Sequence, residues 1–145
     1  MSEELTWLPV WRIREMIGKR EVSPVEVVDH FLGRIEEHDA KLQAFAYLDQ
    51  VEARQLAKRA EKAVLDGDEI GSLHGIPVSV KGHIFVKGWP TFDMGSTRPI
   101  AEAWHDDVQV ERLRAAGAIV VGTNTLMGSG ATRDGFNWDV EARNP

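Results

Sequence analysis

The sequence predicts an α/β fold in which N-terminal helices pack on the start of a mixed or parallel sheet. Three observations carry that expectation. The first 68 residues show apolar positions at helical spacing, broken by glycine, serine and proline at the places where helices start and stop. Leu73-His74-Gly75-Ile76-Pro77-Val78-Ser79-Val80-Lys81 then reads as a short strand, because Ile76, Val78 and Val80 suit a pleated, half-buried surface while Gly75 and Pro77 restrict the backbone entering it. Finally, a helical pattern through Val110 and Leu113 leads into a second apolar strand, Ala118 to Val121. Strand, crossover helix and strand make the βαβ unit of a parallel sheet.

Along the chain, Trp7, Leu8, Trp11 and Met16 precede Gly18 and predict one short amphipathic helix over 7–17. Its tryptophans are expected to pack on the body of the protein, a partner surface being the other reading. Ser23-Pro24-Val25-Glu26 is a helix start: Ser23 can cap free amides, Pro24 suits the first helical position, and Glu26 completes a capping box. Val25, Val28, Leu32 and Ile35 then form the inner stripe to about Glu37, with His30 and His38 expected at the surface. Phe45, Tyr47 and Leu48 suggest a short strand or extended connection within 43–49. From Val51 to Leu65, Ala53, Leu56, Ala57, Ala60 and Val64 share one face of a helix that Asp66-Gly67-Asp68 terminates; the charged residues between them form a solvated face.

Beyond Lys81, Gly82 to Thr91 has loop or hairpin character, and Thr91 to Trp104 reads as a surface loop. Asp106 or Asp107 is expected to cap the crossover helix, and Gly117 to close it.

A chain of 145 residues, 43% hydrophobic and 28% charged, is one globular domain's worth. Its formal charge of −6, with basic and acidic residues interleaved, argues against non-specific binding to nucleic acid or anionic membrane. There is no cysteine, so disulfides and thiolate chemistry are excluded. The acidic start Met1-Ser2-Glu3-Glu4 is not that of a signal peptide, and the run Ala115 to Gly122 is too short to span a bilayer. A cytoplasmic location is the expectation. Gly128-Ser129-Gly130 lacks the third glycine of a dinucleotide fingerprint, and no phosphate-binding loop is present. The spacing of His105-Asp106-Asp107, with His74 and His83 elsewhere, matches no zinc signature, and no metal or cofactor is expected.

The predicted strand delivers Lys81 to its C-terminal end, where open α/β sheets usually bind ligands. By burial alone a strand-end lysine is most often a solvated charge. What singles Lys81 out is its company. The stretch Leu73 to Lys81, the block Asp107 to Gly122, the closing Arg143-Asn144-Pro145, the Ser23-Pro24 helix start and the alanine-rich helix together resemble the amidase signature family over nearly the whole chain. The resemblance implies hydrolysis or transfer of amides by a Ser-Ser-Lys triad in which Lys81 is the base. A lysine acting as base near neutral pH needs its pKa lowered from about 10.4 toward 7 or 8, a bias of roughly 3 to 5 kcal/mol that desolvation can supply. It would draw a proton through a bridging serine, and the activated serine would attack the amide carbonyl.

In the family both serines belong to a Gly-Ser-rich loop beyond the Asn-Pro, so the chain is expected to be an incomplete N-terminal portion of an amidase-signature domain, mainly helical over 1–68 and sheet-forming over 69–145. On this reading it turns over no amide by itself, and its partners are a small-molecule amide in the complete protein and possible self-association through an exposed sheet edge. The alternative is a non-catalytic interaction module derived from an amidase. Two departures from the family stand out: Gly82 and His83 replace the usual aspartate and asparagine, and Gly122-Thr123-Asn124-Thr125 replaces Gly-Lys-Thr-Asn without the glutamate that follows. Ser129 is a candidate substrate-lining residue under the resemblance and a plain turn serine without it.

Overall fold

A computed structural model describes residues 2–92 and 99–125 of the chain. Pro9 separates the first helical stretch into α1 (Ser2–Trp7) and α2 (Val10–Gly18), where the sequence predicts a single helix. Because a proline fits a helix start but breaks its interior, the chain turns at that point. Leu5, Ile13 and Ile17 then face inward, and Trp7 and Trp11 are left 84% and 69% exposed, contrary to the expectation that they pack on the body.

Helix α3 (Pro24–Leu42) begins with the predicted capping box: the Glu26 amide donates to Ser23 Oγ at 3.1 Å, and the Ser23 amide donates to Glu26 Oε2 at 2.8 Å. It runs beyond Glu37 to Leu42, and Gln43 ends it in the left-handed conformation. Strand β1 (Phe45–Leu48) follows, and then α4 (Gln50–Asp66), whose Asp49 cap accepts from the Glu52 amide at 2.8 Å. Ala53, Ala57, Ala60 and Val64 are the buried face of α4, as their spacing predicts.

Strand β2 (Pro77–Lys81) pairs in parallel with β5 (Ile119–Asn124), and β5 pairs antiparallel with β1, giving a mixed three-stranded sheet of order β1-β5-β2. Between β2 and β5 lie a small antiparallel pair, β3 (Pro90–Phe92) with β4 (Pro99–Glu102), and the crossover helix α5 (Val108–Ala115). The span Thr91 to Trp104 therefore contains strands where the sequence suggests only a loop. Its hydrophobic alternation is too short to register: β4 is exposed throughout, and only Thr91 and Phe92 of β3 are buried.

Helices α3 and α4 cover one face of the sheet, with Val28, Leu32, Ala53 and Ala57 packed on Ile119 and Val121. The other face is covered by Val86, Trp89 and Val110, packed on Val80 and Val120. Helices α1 and α2 form a third cluster against the far side of α3, through Ile13, Ile17 and Val27 with Val64 and Ile76. Each fully buried valine or isoleucine contributes about 1.5 to 3 kcal/mol over its exposed state, so this sandwich fixes β5, the strand to which β2 is paired, from both faces.

Candidate active site

The strand that carries Lys81 is positioned by two close approaches that only glycine permits. At its entrance the Gly75 amide donates to the Gly117 carbonyl at 3.0 Å. Both glycines have positive φ, 76° and 89°. A Cβ on Gly117 would lie 2.8 Å from His74 Cα, and one on Gly75 would lie 3.0 Å from Pro24. Further along, Gly122 lets β1 close on β5, since a Cβ there would lie 2.4 Å from the Tyr47 carbonyl oxygen. The register of β2 against β5 shifts between Val78 and Ser79, so that Val121 is the extra residue of a bulge and Lys81 sits beside Asn124.

Alternation along β2 buries Val80 and leaves Ser79 and Lys81 exposed on the opposite face. The Lys81 carbonyl accepts from the Ile84 amide at 2.8 Å, closing a tight turn in which Gly82 is buried and His83 exposed. Lys81 is thus at the C-terminal end of a parallel strand, as predicted, with its backbone paired to β5 on one side and its side chain toward solvent. On the face of Ser79 lies a shallow, largely apolar groove of about 300 Å³ between α3 and the sheet, with Phe31, Ile35, Leu42, Phe45 and Val121 in its walls.

Around this strand end the structure adds groups that the sequence did not single out. Thr123 is 1% exposed, and its hydroxyl has no hydrogen-bond partner among the described residues. Its register partners are Tyr47 on β1 and Val80 on β2. The Tyr47 ring lies 5.1 Å from that of Trp89, and its hydroxyl donates to Asp49 at 3.4 Å. Burial, then the charges of Asp49 and Glu52, raises the Tyr47 phenol above its ordinary value and keeps it protonated at neutral pH. A polar residue continuing the buried run Ile119–Val121 was the available signal for Thr123. Asn124 had no signal beyond its place in the turn.

The other polar candidates have structural partners. His74 Nε2 donates to the Ala60 carbonyl at 2.9 Å, and His30, expected at the surface, is half-buried and hydrogen-bonded to Thr6 at 2.9 Å. Asp107 is the N-cap of α5 by position, but its carboxylate accepts from the Phe85 amide at 2.9 Å rather than from the helix. Asp106 accepts from the Lys87 amide and from Arg114, both at 2.7 Å. The two aspartates therefore tie the loop after Lys81 to the start of α5. Among the described residues no three metal-ligating side chains converge, and no helix is long and apolar enough to cross a membrane. Ser129, Gly95-Ser96 and Asn144-Pro145 lie outside the described residues.

A mixed sheet with helices on both faces, presenting a lysine at the C-terminal end of a parallel strand, defines an α/β protein with a ligand-binding type of strand end. The Amidase family model matches residues 26–143, and the chain belongs to that family. Its sequence is 33% identical over 141 residues to the glutamyl-tRNA(Gln) amidotransferase A chain of Geobacillus kaustophilus, covering 91% of this chain and 29% of that protein. The counterpart from Bacillus pumilus is 34% identical over 128 residues, with 86% and 26% covered. Among solved structures, a bacterial aryl acylamidase of the amidase signature family superimposes with a TM-score of 0.78 at 25% identity, over 86% of this chain and 26% of its own. The peptide amidase of Stenotrophomonas maltophilia gives 0.74 at 28% identity, over 81% and 24%. The chain thus spans less than a third of the length of these relatives.

Proposed function

We propose that the protein acts on carbon-nitrogen amide bonds, with Lys81 as the base of a Ser-Ser-Lys mechanism. The observation that carries the reading is the placement of Lys81: it ends a parallel strand, beside β5, inside the segment that matches the family. In the proposed sequence the neutral amine of Lys81 takes a proton relayed through a bridging serine. The nucleophilic serine oxygen bonds to the amide carbonyl carbon, and the tetrahedral intermediate collapses as the leaving amine receives that proton. Water then adds to the acyl ester and releases a carboxylic acid, restoring the serine; ammonia delivered to an acceptor instead would make the same chemistry an amidotransferase reaction.

Of the four serines within the described residues, Ser23 is committed to the α3 cap, Ser79 lies two positions from Lys81 on an exposed strand face, Ser2 begins α1, and Ser72 lies in the turn before β2. We therefore propose that the nucleophile and its bridging partner come from outside the described residues, together with the walls that desolvate Lys81. Turnover of an aryl anilide, a peptide amide and glutamine by the protein at its native length and by its Lys81→Ala variant tests the reading. Loss of hydrolysis in the variant is expected, and equal rates in both would overturn it.

A second reading rests on a specific observation. Among the described residues β1 and β2 are both edge strands, each with one unpaired side. We propose on that basis that the 145-residue chain taken alone self-associates through a sheet edge, as a non-catalytic module would. Size-exclusion chromatography with light scattering should show concentration-dependent oligomers; a monomer at all concentrations would oppose it.

A further inference from the structure

Away from the strand end, a cavity of about 540 Å³ opens between the α1–α2 pair and the first turns of α3. That volume is within the range of small-molecule sites. Its floor is apolar, formed by Leu5, Leu8, Met16, Val22 and Val25. Its polar lining is mainly acidic: three carboxylates, Glu21, Glu26 and Asp29, against one guanidinium, that of Arg12, which only Glu21 of the three contacts. From these features we propose that the cavity binds a small apolar cation, an alkyl- or arylammonium, with its hydrocarbon body on the floor and its charge at the rim.

The charge arrangement favours that occupant over an anion or a neutral apolar molecule. Arg12 is already engaged, at 2.7 Å by Glu15, which lies outside the cavity, and at 3.4 Å by Glu21. Glu15 in turn holds Lys19 at 2.6 Å. Asp29 gives one oxygen, Oδ1, to Arg54 on α4, and Glu26 gives Oε2 to the Ser23 amide. The second oxygen of each carboxylate at the rim accepts no hydrogen bond from the described residues. His30, also in the wall, is held neutral at pH 7, because burial and then the nearby Arg34 lower its pKa below the ordinary 6.5. The free amides at the start of α3, which would otherwise attract an anion, are occupied in part by the capping box. An ammonium entering the cavity therefore meets unused carboxylate oxygens, whereas a carboxylate meets like charge. This site is independent of the chemistry assigned to Lys81.

Calorimetric titration of the protein with 2-phenylethylammonium, phenylacetate and 2-phenylethanol tests the proposal. The ammonium should bind saturably and about tenfold more tightly than phenylacetate, the discrimination that about 1.4 kcal/mol provides. Glu21→Gln should weaken the ammonium about two- to fivefold, the range of one exposed charge contact, and leave the alcohol unchanged. Val25→Trp should fill the cavity and abolish binding of all three; circular dichroism checks that it folds, and if it does not, Glu21→Gln stands as the deciding variant. Absence of saturation, equal affinity for ammonium and carboxylate, or an ammonium affinity insensitive to Glu21→Gln would each overturn the assignment. So would a concentration-dependent dimer whose formation blocks the titration.

Discussion

Replacing Gly122 with alanine tests how β5 holds Lys81 in place. Gly122 has ordinary backbone angles, so the substitution carries no conformational penalty of its own; its effect is purely one of space. The added Cβ would stand 2.4 Å from the Tyr47 carbonyl oxygen, with Phe45 and Leu48 side-chain carbons at 3.0 and 3.2 Å. The two side chains can rotate away, but the carbonyl cannot, because it belongs to the β1 backbone paired with β5. Strands β1 and β5 must therefore separate, opening the sheet on one side of the strand that registers Lys81. Overpacking of this kind costs typically 1 to 3 kcal/mol, and a backbone obstacle places Gly122→Ala at the upper end, about 3 kcal/mol. For a chain of this size about 1 kcal/mol corresponds to 2–4 °C, so thermal unfolding followed by circular dichroism should show Tm lowered by roughly 6–12 °C. Gly33→Ala is the matched control. Gly33 lies within α3 with nothing within 4 Å of its Cβ position, and alanine there should stabilise by about 0.5 to 1 kcal/mol. A Gly122→Ala protein melting within about 2 °C of the parent would refute the claim that this contact sets the strand spacing.

Three further outcomes follow from named contacts. Ser23→Ala removes the hydroxyl that accepts from the Glu26 amide and should cost about 1 kcal/mol in denaturant unfolding, with an unchanged m-value. Thr123→Val removes a buried hydroxyl that has no partner among the described residues while keeping its shape, and should raise stability by about 1 kcal/mol; a loss would mean that the hydroxyl is satisfied. For His30, burial and then Arg34 depress the folded-state pKa below 6.5, so the unfolded chain binds the proton more readily. The stability that a neutral His30 gives is full above pH 6.5 and is lost as pH falls from there through the folded-state value; His30→Gln should flatten that part of the stability profile measured by urea titration.

The parts of the fold that were legible in the sequence are those governed by local rules. The Ser23-Pro24-Val25-Glu26 start reads directly because both capping-box bonds join residues three apart, and the alanine face of α4 reads because one helix face repeats at fixed spacing. The strand to Lys81 reads because β-branched residues alternate there toward the interior, Ile76 in one cluster and Val80 in the next, with Val78 packed against both. What was not legible depends on distant partners. Pro9 signals a break, but which way the tryptophans then point is set by the packing of Ile13 and Ile17 on Val27. The β3–β4 pair has almost no buried face to imprint a pattern. The carboxylate of Asp107 turns from its own helix to the Phe85 amide, 22 residues away, a choice that no local rule contains. In the site, the motif marks Lys81, whereas its pairing with Asn124 depends on the bulge at Val121, which exists only once the strands meet.

The most direct measurement is the initial rate of amide hydrolysis, with an aryl anilide and a peptide amide, by the protein at its native length and by its Lys81→Ala variant. Lys81 is exposed at the end of β2, so the substitution should leave Tm nearly unchanged, within about 0.5 kcal/mol of stability. The account predicts a rate reduced by about 10²- to 10⁴-fold, the contribution of a positioned general base, in a variant that is otherwise folded. A folded Lys81→Ala protein that hydrolyses these amides at the parent rate would contradict the assignment of Lys81 as the base.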